Sequence, residues 1–132
     1  MGTATGNATY YCLCFGGSCD NGTGGACGDC NDGSYDIAWA YVYSDDSCDE
    51  VQHGCHTSVS ITDVCTTNSY SGSIEDACPC KSQEGCSATP LCSGSSYTDP
   101  NYAEPLLDLT TAYFMALDGS LDDGRIPISI TI

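Results

Sequence analysis

The chain has almost no basic side chains: Lys81 and Arg125 stand against 18 acidic residues, and the formal net charge over 132 residues is −16. Neutralising a phosphate backbone requires Lys and Arg, so nucleic acid is excluded as a partner. The same shortage excludes an anionic membrane surface. Long apolar runs are also missing. The longest, Ile37 to Tyr43, falls far short of the roughly 20 residues that span a bilayer. Residues Met1–Tyr11 have neither a basic start nor an apolar middle, so no secretory leader is visible. No internal repeat or clean linker divides the sequence, and its length fits one domain, residues 1–132. Uncharged partners remain open, and the excess negative charge keeps such a chain soluble.

Cysteine, by contrast, is abundant. Cys12, Cys14, Cys19, Cys27, Cys30, Cys48, Cys55, Cys65, Cys78, Cys80, Cys86 and Cys92 make twelve, a density typical of chains that oxidise outside the cytosol. The number is even, so no thiol need be left over, and the pairing is open. Two arrangements suggest metal: the CxxC of Cys27 and Cys30 with the CxC of Cys78 and Cys80, and His53 and His56 around Cys55. The other cysteines are scattered singly or in loose pairs, without the paired spacing of a zinc site. The acidic run Asp118 to Asp123 lacks the alternating ligands of a calcium loop. The sulfurs therefore read as disulfides, with no metal and no cofactor. Disulfide use places the protein outside the cell, which implies that a leader has been removed. Asn7 and Asn21 open N-x-T sequons and are candidate glycosylation sites.

Periodicity points to a mostly β chain. Ile126, Ile128, Ile130 and Ile132 alternate with Pro127, Ser129 and Thr131, and Val59 and Ile61 alternate with Ser58, Ser60 and Thr62. Asp36 to Tyr43 alternates small and bulky residues. One helix is expected, with Thr110 as N-cap, Tyr113, Phe114 and Leu117 on one face, and Gly119 at the C-terminal cap. Residues 12–35 are rich in Gly, Cys, Asp and Asn, and residues 66–105 in Ser, Thr, Gly, Pro and Cys; both read as long irregular loops pinned by bridges.

Three segments, in order, resemble landmarks of one superfamily. Gly6-Asn7-Ala8-Thr9-Tyr10-Tyr11 resembles the opening "G-x-A-T-Y/F-Y" of expansins, loosenins and the rare lipoprotein A family. Ser58-Val59-Ser60-Ile61-Thr62-Asp63-Val64-Cys65 resembles their strand that ends at a groove-lining Asp. Leu107-Asp108-Leu109-Thr110-Thr111-Ala112-Tyr113-Phe114, with Gly124-Arg125-Ile126-Pro127-Ile128, resembles their ending, in which the Asp opens a short helix before the last strand. The resemblance covers about a third of the chain and implies a six-stranded double-psi β-barrel with one or two short helices and long disulfide-stapled loops. Thr9-Tyr10-Tyr11-Cys12-Leu13-Cys14-Phe15-Gly16-Gly17-Ser18-Cys19 also resembles the signature of glycoside hydrolase family 45, except that Leu13 occupies the place of its general base and Phe15 that of a cysteine.

Inverting glycoside hydrolysis needs one carboxyl to protonate the leaving oxygen and a second to activate water. By resemblance, Asp108 occupies the acid position and Asp63 the second groove position. With leucine at 13, the usual pair is incomplete. The resemblance therefore implies an expansin-like, non-hydrolytic module that binds a neutral polysaccharide such as cellulose, another β-glucan or chitin and loosens a wall. Thr9, Asp63 and Asp108 would bond sugar hydroxyls, and Tyr10, Tyr11 and Tyr70 would stack on sugar faces. The rivals are a family-45-like endoglucanase with a relocated base, lytic transglycosylase action, and a structural matrix or filament subunit that self-associates through the Ile126–Ile132 strand.

Overall fold

The computed structural model describes residues 2–11, 27, 34–39, 54–77, 90–92, 95–103 and 105–132. Strands β1 (Thr3–Tyr11), β2 (Asp36–Trp39), β3 (Ser58–Asp63) and β4 (Ser69–Ala77) come first, and the short β5 (Leu91–Cys92) and β6 (Ser95–Ser96) come next. A single 3-10 turn, Pro100–Tyr102, leads to β7 (Pro105–Thr110), helix α1 (Thr111–Asp118) and β8 (Ile126–Thr131). Six strands close into a barrel in the order β1-β7-β2-β4-β3-β8, and β5 and β6 pair separately. The pairs β1–β7 and β2–β4 are parallel and the other barrel pairs antiparallel. This is the mixed six-stranded barrel with one helix that the resemblance implies.

The isoleucine alternation does what period-two patterning dictates. Ile126, Ile128 and Ile130 from β8, Ile61 and Val59 from β3, Ile37 from β2, and Leu107 and Leu109 from β7 fill the interior. Each such side chain, fully buried, contributes roughly 1.5–3 kcal/mol. Trp39 joins this core and is only 6% exposed. Helix α1 closes one end of the barrel with Tyr113, Phe114 and Leu117, all fully buried. Gly119 ends the helix in the left-handed conformation at φ 87°, and its amide bonds to the Met115 carbonyl.

Three expectations are corrected. Thr110 starts the helix without capping it: its hydroxyl donates to the Ser34 carbonyl (2.5 Å) and accepts from the Asp36 amide (3.2 Å), tying β7 to the entry of β2. Asp108 does not open the helix; it lies within β7. Residues 66–105 are not wholly irregular, since β4 runs through Ser69–Ala77. The positions that share the parity of its buried Ile74 are Tyr70 and Gly72, a row too weakly apolar to register as a strand. Gly72 is required there. A Cβ at this position would strike the Tyr113 ring and lie 2.5 Å from the Tyr35 carbonyl.

Two disulfides join described residues. Cys27–Cys55 has a Cα–Cα distance of 5.6 Å, and Cys65–Cys92 one of 5.5 Å. The first anchors residue 27 against β4, where its amide donates to the Glu75 carbonyl at 3.0 Å. The second ties the turn after β3 to β5. The remaining cysteines, Asn21, His53, the proposed strand residues 40–43 and the family-45-like segment beyond Tyr11 lie outside the described residues. Among the described residues, no helix is long and apolar enough to cross a membrane.

Candidate functional site

Two bulges set the site. In β1–β7 the register passes from Asn7↔Pro105 to Ala8↔Leu107, and in β2–β4 from Ile37↔Ile74 to Ala38↔Asp76. An extra residue on one strand re-aims the side chains beyond it. Ala8, Ile37, Ile74, Leu107 and Leu109 point into the core, so their neighbours Thr9, Ala38 and Asp108 fall on the outer face, and the bulge at Glu75 brings Asp76 opposite Ala38 there. The register then aligns Thr9, Asp108, Ala38 and Asp76 side by side across β1, β7, β2 and β4. Without the bulge at Glu75, that residue would stand opposite Ala38 in place of Asp76. The small Ala38, itself buried, stands between the two carboxyls.

Asp108 is the deepest carboxyl of this row, 8% exposed. It accepts the Thr9 hydroxyl proton in a 2.7 Å bond. Burial pushes its pKa up from 3.8 to about 6; the Thr9 bond and the Arg125 charge oppose that rise, and the Asp76 charge adds to it. Such a carboxyl exchanges its proton near neutrality, as a general acid must. Arg125, itself buried, donates to Asn7 Oδ1 at 2.7 Å. Its own pKa is lowered, chiefly by burial, with Asp108 opposing. Asp108, Arg125 and Asn7 therefore form one buried polar network on the outer face of β1.

Asp63, expected beside Asp108, lies elsewhere. It shares the inward parity of Val59 and Ile61 and is fully buried. Its Oδ1 accepts from the Cys65 amide (2.8 Å) and the Thr66 amide (3.3 Å), closing the turn after β3. Its carboxyl also interacts electrostatically with that of Asp118 at the end of α1. Burial is the main cause raising the pKa of both, and Asp118 reaches about 7. The same turn holds the end of the helix: Thr66 Oγ1 and Asn68 Nδ2 both donate to the Leu117 carbonyl, at 2.8 and 2.9 Å. This carboxyl pair belongs to the junction of α1 with the β3–β4 turn.

The aromatic candidates also separate from the row. Tyr10 is 37% exposed and meets Phe114 edge-on at 5.0 Å. Tyr70 is 42% exposed and meets Tyr35 edge-on at 5.7 Å, while Tyr35 stacks on Tyr113 at 4.9 Å. Both exposed rings thus sit at the helix-capped end of the barrel. The side chain of Tyr11 lies outside the described residues. The sequon at Asn7 cannot carry a glycan in this fold. Its amide is fully buried and donates to the Tyr102 and Ala103 carbonyls at 3.0 and 3.1 Å.

His56 has its Nδ1 2.9 Å from the Glu75 carboxylate, which also accepts from Ser73 Oγ at 2.8 Å. Among the described residues, no three side chains of His, Cys, Asp or Glu are grouped to hold a metal ion. Asp76 and Arg125 are the members of the outer-face row and its network that sequence reasoning did not single out. The only local signal for Asp76 is the Tyr70-Gly72-Ile74 alternation, and that pattern predicts the opposite face because the bulge leaves no mark in the sequence.

Solved structures share this fold. An apo expansin of Clavibacter michiganensis matches with a TM-score of 0.55 at 23% identity, over 98% of this chain and 49% of that one. A mutant of the same expansin in complex with cellohexaose matches with a TM-score of 0.55 at 21% identity, over the same shares of the two chains. The Streptomyces papain inhibitor matches with a TM-score of 0.52 at 21% identity, over 98% of this chain and 93% of that one. The protein therefore has the double-psi β-barrel fold of the expansins. It spans about half the length of the expansin chains it matches. No protein-family model and no curated protein sequence matches it.

Proposed function

We propose that this is a secreted, expansin-like module that binds a neutral β-glucan such as cellulose along the outer face of β1, β7, β2 and β4. The observation that carries the reading is the row Thr9, Asp108, Ala38 and Asp76. It offers a hydroxyl and two carboxyls to sugar hydroxyls across four adjacent strands, with a small residue between the carboxyls. The mutant expansin that shares this fold was solved in complex with cellohexaose, which supports a cello-oligosaccharide as the first ligand to try. Disulfides support an extracellular setting. In this reading Asp76 takes the groove role expected of Asp63, and Asp63 holds the β3–β4 turn.

Hydrolysis is the second reading, and the same row favours it over the structural-subunit alternative. Asp76 stands two strands from Asp108, roughly 10 Å between backbones at normal strand spacing. Inverting glycosidases separate their carboxyls by about 6.5–9.5 Å. Asp108, with its raised pKa, would protonate the leaving oxygen, and Asp76 would activate water.

One experiment separates the readings. The protein is incubated with insoluble cellulose, β-glucan and chitin, and bound protein and released reducing sugar are measured in the same tubes. Binding without release, weakened by Asp108→Asn and Asp76→Asn, is the expected result. Release abolished by either substitution turns the assignment to hydrolysis. Absence of binding to all three glycans overturns the groove.

A further inference from the structure

The segment Asp99–Ala103 is tied to the outer face of β1 more firmly than a connecting loop requires. Asp99 caps the 3-10 turn, accepting from the Asn101 amide at 3.0 Å. Thr5 Oγ1 donates to the Asn101 carbonyl at 3.1 Å, and the buried Asn7 amide grips the Tyr102 and Ala103 carbonyls. The other end of that amide accepts from Arg125, which interacts electrostatically with Asp108. A buried amide with every partner satisfied contributes little more to stability than an apolar group of the same shape. What it does fix is position. The carboxyl of the row and residues 101–103 are thus held by one network.

That network presents an aromatic pair. The rings of Tyr102 and Tyr97 meet edge-on, with centroids 5.2 Å apart and planes at 83°. Both are half-buried, and neither belongs to the barrel core. Tyr102 hangs from Asn7, two residues before Thr9 on the same outer face of β1, which is roughly 7 Å along the strand. The chain then enters β7 at Pro105, opposite Asn7, and reaches Asp108 three residues later.

We propose that Tyr102, buttressed edge-on by Tyr97, is a sugar-stacking platform that forms one wall of the groove beside Thr9 and Asp108. The proposal rests on the groove reading and adds to it the residue that selects a flat pyranose face. A rigid tyrosine offers large contact area at low entropic cost. Asn7 acts as a positioning residue, because it touches the platform's backbone rather than the sugar.

The test is isothermal titration with cellohexaose on the whole chain. Tyr102→Ala and Tyr102→Leu are expected to weaken binding on the order of tenfold, and Tyr102→Phe to stay within about twofold. Leucine keeps apolar contact with Tyr97 but removes the flat face, so its loss is not one of folding; an unchanged thermal midpoint checks this. Tyr102→Trp places an indole at the platform, and its emission shifts on cellohexaose addition. The platform is overturned if Tyr102→Leu binds like the parent while Asp108→Asn loses affinity, a result that leaves the groove standing. It is also overturned if the parent binds no cello-oligosaccharide, in which case the groove falls with it.

Discussion

Replacing Asp108 by Asn should stabilise the protein, relative to the parent, far more at pH 8 than at pH 4. Asp108 is buried, and its pKa is raised from 3.8 to about 6. The folded state thus holds this proton more tightly than the unfolded chain does. The stabilisation is complete below pH 3.8 and is lost as pH climbs through about 6. At about 1.4 kcal/mol per pH unit, the loss is about 3 kcal/mol. Asparagine imitates the protonated acid and can still accept the Thr9 hydroxyl, so it escapes that loss. The groups facing Asp108 are Thr9, Arg125 and Asp76, and none is altered by the substitution. The parent and Asp108→Asn should therefore unfold alike at pH 4 and diverge by about 3 kcal/mol at pH 8, on the order of 10 °C in midpoint for a domain of this size. Urea and thermal unfolding across that range measure it. The overall charge of −16 destabilises both proteins together as pH rises, so the difference between them is the readout. A difference that does not change with pH would show that Asp108 is not held in a desolvated site, and the hydrolytic reading, which needs it as a proton donor, would go with it.

Three further outcomes rest on the packing. Gly72→Ala should cost about 1–3 kcal/mol in chemical denaturation, because the new methyl meets the Tyr113 ring and the Tyr35 carbonyl; an unchanged midpoint would mean that the ring stack does not press on β4. Tyr113→Phe should cost about 1 kcal/mol by removing the 2.6 Å bond from its hydroxyl to the Tyr70 carbonyl, read in the same assay. Replacing both Cys65 and Cys92 by Ser should cost about 3–4 kcal/mol for a bridge spanning 27 residues, while peptide mapping of the parent should recover Cys65 joined to Cys92.

Several elements of the barrel were legible in the chain because they depend on local alternation. The isoleucines of β8, the Val59 and Ile61 pair of β3, and the Tyr113, Phe114 and Leu117 face of α1 each repeat at the period of their element, and Gly119 marks the helix end. Strand β4 was not legible. Its row of Tyr70, Gly72 and Ile74 includes a glycine that exists to admit Tyr113, a residue 41 positions further along the chain, and no local pattern encodes that approach.

The sequence by itself determined an acidic, cysteine-rich, mostly β chain, and by resemblance it singled out Thr9 and Asp108, with Asp63, for one groove. The tertiary structure alone decided which second carboxyl faces them. The resemblance named Asp63, and no local pattern marked Asp76. The parity of β3 turns Asp63 inward to the α1 junction, and one extra residue in β4 turns Asp76 outward to the row. A bulge arises from how two distant strands pair, so the face on which a side chain lands is a property of the pair and not of either strand's sequence.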